Sequence, residues 1–173
     1  MNANESLAHL GRFPRILEAL VAGLSDSVWR WKPPTGNWSI LEVVCHLRDE
    51  EREDFRQRLE LTITDPSQPW PKIDPVAAAT TRDYQGQVPA TVLQEFLEER
   101  EKSLAWLRQF KEIPLERAYQ HPKVGPVTVG ELLASWAAHD LLHVRQITKR
   151  IFEAHQEEVR PYPIVYAGTW AES

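Results

Sequence analysis

Three histidines carry the clearest chemical signal in the sequence. His139 and His143 lie four residues apart in the apolar stretch ASWAAHDLLHVRQI, Ala134 to Ile147. Four residues is about one turn of an α-helix, so the two imidazoles would project from the same face. His46 lies far upstream in EVVCHLRDEE, again beside apolar residues. Neutral imidazole binds zinc, nickel, copper and iron well, which makes these three histidines candidate metal ligands.

Each of the three histidines lies where an apolar face of its helix meets a polar one. At about 100° per residue, the face that carries Trp136 and Ile147 also carries His139 and His143, toward its border. A metal at such a border is shielded on one side and open to solvent on the other. Three protein ligands leave a position for water or substrate, as in catalytic zinc sites. The alternative is that these are core histidines whose ring nitrogens are satisfied by carbonyls or carboxylates.

Two carboxylates adjoin the candidate ligands. Glu50 follows His46 by one helical turn, and Asp140 directly follows His139. Either could orient an imidazole or relay a proton as an outer-shell partner of a metal. The alternative for both is an ordinary solvated charge on a helix.

Two further residues could take part in chemistry. Cys45 precedes His46 and would point about 100° away around the helix, so we expect a small buried residue rather than a nucleophile. His121 opens the segment HPKVGP, which has the composition of a tight turn. That turn could close over one end of the helices, and we leave the role of His121 open.

The elements that must position these residues are four helices. Apolar residues recur at helical spacing in four segments, Leu7–Leu24, Ser39–Leu59, Ala90–Phe110 and Thr128–Phe152. Between Thr62 and Pro89 helical order lapses in a proline-rich connection, and a link of this length is often functional. We find no credible pair of β-strands.

Capping boxes define the starts of the second and fourth helices. Ser39 is followed three residues later by Glu42, and Thr128 by Glu131. At 1.5 Å per residue, His46 would lie roughly 10 Å into its helix, and the other two histidines roughly 16 and 22 Å into theirs. The three can share one level if these two helices run antiparallel.

These elements predict an all-α fold, a four-helix bundle formed by one domain that spans residues 1–173. The long crossover between helices two and three can carry the chain from one end of the bundle to the other. Those two helices would then run parallel, in an up-down-down-up arrangement.

The composition of the chain limits the classes of partner and the cellular compartment that we expect. The net charge is −5 and lysines and arginines do not cluster, which argues against nucleic acid and anionic membranes as partners. A single cysteine excludes an internal disulfide and fits a reducing compartment. The first residues, MNANESLAHLGRF, do not resemble a signal peptide, and no apolar stretch reaches 18 residues. We therefore expect a cytoplasmic protein.

Two motifs resemble those of the DinB/YfiT-like superfamily. NWSILEVVCHLRDEE, Asn37 to Glu51, resembles a signature in which a tryptophan and a capped helix start precede a metal-binding histidine. HPKVGPVTVGELLASWAAHDLLHVRQI resembles the second signature, a turn followed by a capped helix with HxxxH. The proline-rich link and the segment LQEFLEEREKSLAWL are similar too, so the resemblance covers nearly the whole chain.

The resemblance implies an up-down-down-up four-helix bundle, often a homodimer, and a divalent metal held by three residues, usually zinc or nickel. Carried over by position, the ligands are His46, His139 and His143. Some relatives have glutamate at the position of His139, so this chain resembles the three-histidine version. Characterised relatives include transferases that use low-molecular-weight thiols such as bacillithiol, and a mycothiol-dependent isomerase. Many others are labelled metal-dependent hydrolases without an assigned activity.

Three functional hypotheses follow. The first is a metal-dependent enzyme, a thiol-dependent S-transferase or a hydrolase, that acts on a small-molecule substrate through a metal-bound thiolate or hydroxide. The second is a stress-related module that binds a metal or small ligand without turnover. The third is a structural bundle in which the histidines only pack.

Overall fold

The computed structural model describes residues 3–168 and residue 170. The helices are α1 (Ala3–Val21), α2 (Asp26–Arg30), α3 (Ile40–Glu53), α4 (Phe55–Thr64), α5 (Pro75–Thr81), α6 (Pro89–Leu107) and α7 (Val129–Glu158). Strands β1 (Ala118–His121) and β2 (Gly125–Thr128) form an antiparallel hairpin, and short 3-10 turns cover Tyr84–Gly86 and Val165–Ala167. The long helices α1, α3 with α4, α6 and α7 form a four-helix bundle, which confirms the predicted fold class.

Apolar side chains from all four long helices fill the bundle. Helix α3 packs mainly on α6, and α1 packs mainly on α7. The largest apolar side chains that are almost completely buried are Leu10, Phe13, Leu17, Ile40, Leu41, Leu47, Leu59, Tyr84, Phe96, Leu107 and Trp136. Helices α3 and α7 also touch, and the three histidines lie between them. The up-down-down-up order of the helices stays a prediction.

Both predicted capping boxes form. The backbone N–H of Glu42 donates to Ser39 Oγ at 3.2 Å, and the Glu42 carboxylate accepts from the Ser39 N–H at 2.7 Å. Thr128 and Glu131 exchange the same two bonds at 3.1 and 2.7 Å. Helices α3 and α7 therefore begin where the sequence predicts, which sets the faces on which their histidines lie.

The expected absence of strand pairs is wrong. The predicted turn HPKVGP joins β1 and β2, and Tyr119 lies opposite Val127 in the ladder. Gly125 adopts φ of +82°, which a residue with a side chain rarely does, and so allows the tight reversal. Strands of four residues are too short to show a clear alternation in the sequence.

The predicted second helix is divided at Asp54, whose φ of −119° and ψ of −91° are not helical. The crossover that follows contains the helix α5, which was not predicted. Asp74 caps this helix by accepting a hydrogen bond from the Ala77 N–H at 2.9 Å. Proline at the first position of α5 removes a donor that has no partner there anyway. Helix α1 begins at Ala3, before the predicted start, and continues through Pro14.

Candidate metal centre

The structure brings His46, His139 and His143 together. Helix α3 contributes the first and α7 the other two, one turn apart. The Nε2 atom of His139 lies 3.3 Å from Nε2 of His46 and 3.1 Å from Nε2 of His143. One nitrogen from each ring can be chosen so that all three lie within 4.8 Å of one another. The predicted convergence of these side chains is therefore found.

All three imidazoles are held in their neutral form. Burial, together with the charge of His143, lowers the pKa of His46 to about 4. Burial and the two neighbouring histidines lower the pKa of His139 to about 3. Burial also lowers the pKa of His143, against an opposing hydrogen bond to Gln146. Neutral imidazole is the form that binds a metal.

Neighbouring side chains orient the rings. Nδ1 of His143 lies 2.8 Å from Oε1 of Gln146, so an N–H on that atom donates to the amide and leaves Nε2 free to bind a metal. Nδ1 of His46 lies 3.6 Å from a carboxylate oxygen of Glu50. This distance is longer than a hydrogen bond, so the orienting role of Glu50 stays a prediction.

Aromatic rings support two of the histidines from the outside. The ring centroids of Trp38 and His46 are 5.1 Å apart, and Phe55 meets His139 edge-on at 5.1 Å. Trp38 is the tryptophan of the first family-like motif. Such packing restricts the rotation of the imidazoles and shields them from water.

Asp140 does not face the histidines as an orienting carboxylate. Its two carboxylate oxygens accept from Arg100 at 2.7 and 2.8 Å, in a bidentate pair that is almost completely buried. Burial raises the pKa of Asp140 to about 6, so the group is ionised at neutral pH. Sequence position alone placed Asp140 next to His139, but its side chain points toward α6.

A pocket of about 100 Å³ opens beside His46. The inner wall comes from α3 and the outer wall from the crossover that includes α5. The residues that line the pocket are His46, Asp49, Glu50, Glu53, Asp54, Lys72, Ile73, Asp74, Pro75, Ala78, Arg82 and Tyr84. The long connection that was predicted to be functional therefore forms the outer wall of the pocket beside His46.

Carboxylates dominate the inner wall of this pocket. Burial, followed by a hydrogen bond to Asp54 and the charge of that residue, raises the pKa of Glu50 to about 9. Glu50 is therefore protonated at neutral pH in the absence of a metal. A carboxyl group that holds a proton beside the pocket can donate it to a substrate or leaving group.

Ion pairs fasten the crossover to α3. Arg82 donates to Asp49 at 2.6 Å and to Glu53 at 2.8 Å. The Tyr84 hydroxyl donates to Asp49 at 2.6 Å, and these bonds keep the pKa of Asp49 below its usual range despite burial. The outer wall of the pocket is thus held in a defined position.

Cys45 and His121 lie outside the cluster of ring nitrogens. Cys45 is completely buried, and burial raises the pKa of its thiol to about 12, so it is not a thiolate at neutral pH. This confirms the prediction of a buried, non-nucleophilic cysteine. His121 lies in the hairpin, where its Nδ1 accepts from the Lys123 N–H at 3.2 Å and its ring lies 5.8 Å from that of Trp70.

The buried charges beside the site were not predicted from the sequence. Arg100 and Glu51 are each 1% exposed and pair directly with one another. A signal was present, because Arg100 follows Phe96 by four residues and precedes Leu104 by four, which places it on the apolar stripe of α6. An arginine on such a stripe indicates a buried carboxylate partner.

Residues 9–147, which contain all three histidines, match the family model of the DinB superfamily. A protein of Oceanobacillus iheyensis that is provisionally named a metal-dependent hydrolase is 28% identical over 146 residues, 84% of this chain and 83% of that protein. YfiT from Bacillus subtilis, described as a probable metal-dependent hydrolase with an unusual four-helix bundle topology, has a similar fold. Its solved structure matches with a TM-score of 0.78 and 22% identity, over 88% of this chain and 87% of its own. On the family match, this chain belongs to the DinB superfamily.

Proposed function

We propose that this protein is a divalent-metal-dependent enzyme that acts on a small-molecule substrate, with hydrolysis as its reaction. The observation that carries the proposal is the convergence of three neutral imidazoles, one of which, His46, lines a pocket. The names of the relatives support the same reaction class. A divalent metal bound there would polarise a substrate carbonyl or phosphoryl group and lower the pKa of a bound water.

The donor set fits such a metal. Two imidazole nitrogens bound to zinc at about 2.1 Å, at a tetrahedral angle, are about 3.4 Å apart. The Nε2 atoms are separated by 3.3 and 3.1 Å in the two pairs that include His139. Small rotations of the rings would therefore complete the site. Both zinc and nickel suit imidazole ligands, and we propose either as the native metal.

The chain's own groups would perform three tasks around that metal. Gln146 holds the imidazole of His143 in a metal-binding orientation, and Glu50 lies beside Nδ1 of His46. The crossover, fastened through Arg82, forms the outer wall of the pocket that receives the substrate. Glu50 faces the pocket, and its raised pKa makes it the candidate group that takes up a proton and returns it to the leaving group during turnover.

The attacking nucleophile would come from outside the protein. The thiol of Cys45 is buried, and its Sγ lies 3.6 Å from Gln87 Oε1 and 3.9 Å from the Tyr84 carbonyl oxygen. Water as nucleophile gives hydrolysis. A low-molecular-weight thiol at the same position gives S-transfer, which is the second candidate reaction and uses the same three histidines.

Metal content of protein purified without a polyhistidine tag tests the proposal. Wild type is expected to bind one zinc or nickel ion per chain and to melt at a higher temperature with the metal than after chelation. His139→Ala should lose both properties. His155→Ala is the matched control, because His155 is an exposed histidine on the same helix and should leave both unchanged.

Activity assays then separate the reaction classes. Metal-loaded wild type would be screened against esters, amides and phosphoesters, and against electrophiles with a panel of thiols. Turnover without thiol supports hydrolysis, and turnover that requires a thiol supports S-transfer. A ligand that binds tightly and is recovered intact would favour the non-catalytic module. A wild-type protein that cannot be loaded with zinc or nickel would contradict the proposal. The remaining hypothesis would then be a structural bundle in which the histidines only pack.

Cellular location and oligomeric state are separate matters. Among the described residues, none of the helices combines the length and apolarity needed to cross a bilayer. The cytoplasmic location and the homodimer stay predictions. Leu141 and Leu142 are 53% and 62% exposed on α7, a surface that supports the homodimer. Light scattering of the purified protein measures the oligomeric state directly.

A further inference from the structure

A buried ionic cluster lies directly behind the three histidines. Arg100 and Glu51 are each 1% exposed and Asp140 is 3% exposed. Arg100 comes from α6, Glu51 from α3 and Asp140 from α7. Arg100 also donates to the backbone carbonyl of Leu10 in α1 at 3.0 Å. A single guanidinium therefore connects all four long helices of the bundle.

The hydrogen bonds of this cluster are saturated. Arg100 donates through Nε to Glu51 at 2.7 Å and through both terminal nitrogens to Asp140. The second oxygen of Glu51 accepts from Ser103 at 2.8 Å, and the first also accepts from the Trp136 indole N–H at 2.9 Å. A bidentate arginine fixes distance and orientation as well as charge.

Two routes link the cluster to the metal-binding side chains. Asp140 is the next residue after His139 on α7, so its position fixes the backbone that carries that imidazole. Trp136 stacks on Phe55 at 5.3 Å, and Phe55 in turn meets the His139 ring at 5.1 Å. The charge of Arg100 also contributes to the lowered pKa of His139.

We infer that Arg100 is a positioning residue for the three-histidine site: its guanidinium holds α3 and α7 at the separation at which His46 meets His139 and His143. Buried ion pairs add little net stability compared with apolar residues of the same shape, so stability alone does not account for this one. The inference rests on the proposed metal-binding function.

The cluster joins one guanidinium to two carboxylates. Geometry and charge can be separated by substitution, because lysine keeps the charge of Arg100 and loses its planar fork.

Zinc affinity of Arg100→Lys tests the inference. The variant keeps the net charge, and its Kd for zinc in a chelator competition is expected to rise about 10- to 100-fold, the range for residues that position metal ligands. With cobalt(II) as a probe, the visible absorption bands should shift because the ligand geometry changes. Arg150→Lys is the matched control: Arg150 is 5% exposed on α7 and pairs with Glu153 outside the cluster, so the same substitution there should leave the Kd and the spectrum unchanged.

The outcomes distinguish the inference from the proposed function. A folded Arg100→Lys protein with wild-type zinc affinity and an unchanged cobalt spectrum overturns the inference alone. A wild type that binds neither zinc nor nickel overturns both. If Arg100→Lys does not fold, Asp140→Asn takes its place, since it keeps the shape of the side chain and removes the charged half of the bidentate pair. The Kd of Asp140→Asn for zinc is expected to rise by the same factor. An unchanged Kd in this variant would also overturn the inference.

Discussion

Acidification from about pH 7.5 to about pH 5.5 provides a quantitative test of the metal centre. Protons compete with a metal for imidazole, so each ligand with a pKa near 6.5 would weaken binding about tenfold over this range, and three would weaken it about 1,000-fold. In the folded protein the pKa of His46 lies at about 4 and that of His139 at about 3, and the pKa of His143 is also lowered. The imidazoles of His46 and His139 stay neutral at the lower pH, so proton competition at these two ligands should be small.

Glu50 is the expected source of the remaining pH dependence. Its pKa is raised to about 9, so it holds a proton that a metal bound at the neighbouring His46 would tend to expel. Release of one proton changes the affinity by up to about tenfold per pH unit. Glu50→Gln removes this proton, so the zinc affinity of the variant is expected to change less than about tenfold over the whole range.

Competition titrations with a chelator of known pH dependence measure the Kd at both pH values, and circular dichroism confirms that the protein stays folded. Wild type should lose more affinity on acidification than Glu50→Gln, by the contribution of that one proton. A loss near 1,000-fold in Glu50→Gln would refute the reasoning, because it would mean that the three imidazoles titrate like exposed histidines.

Three predictions concern the elements that hold the site. Trp136→Phe removes the indole donor to Glu51 and should lower the free energy of unfolding in urea by about 1–3 kcal/mol. Thr128→Ala removes the N-cap of α7 and should lower the free energy of unfolding by about 1 kcal/mol. An unchanged urea midpoint would contradict the role of the capping box. Gly125→Ala forces a side chain into φ of +82° and should lower the melting temperature. Gly11→Ala is the control for this variant, because Gly11 lies within α1 and has open space where a Cβ would be. That substitution should raise the free energy of unfolding by about 0.5–1 kcal/mol.

Local sequence patterns predicted the elements that carry the histidines. The two capping boxes involve residues three apart, and the starts of α3 and α7 were therefore predictable from short segments. The same holds for the shared face of His139 and His143, which depends only on helical periodicity. The burial of Cys45 was expected from its position about 100° around the helix from His46.

Features that depend on weak or competing local signals were not predictable in the same way. The hairpin from Ala118 to Thr128 is stabilised by pairing and by the turn at Gly125, and its strands are too short to show a period. The break at Asp54 interrupts a continuous helical pattern without glycine or proline. Helix α5 forms inside a proline-rich stretch because Asp74 and Pro75 make a good helix start.

The sequence by itself determined the helical fold class, the starts of two helices and the histidines that share a face. Only the tertiary structure decided that the ring of His46 reaches His139 within 3.3 Å, and that Asp140 pairs with Arg100 and not with an imidazole. The reason is physical: periodicity and capping act over three or four residues, whereas these contacts join residues that are distant in the chain and depend on how whole helices pack. Burial between the packed helices also lowers the pKa values of His46 and His139, and this effect cannot be inferred from any single segment of the sequence.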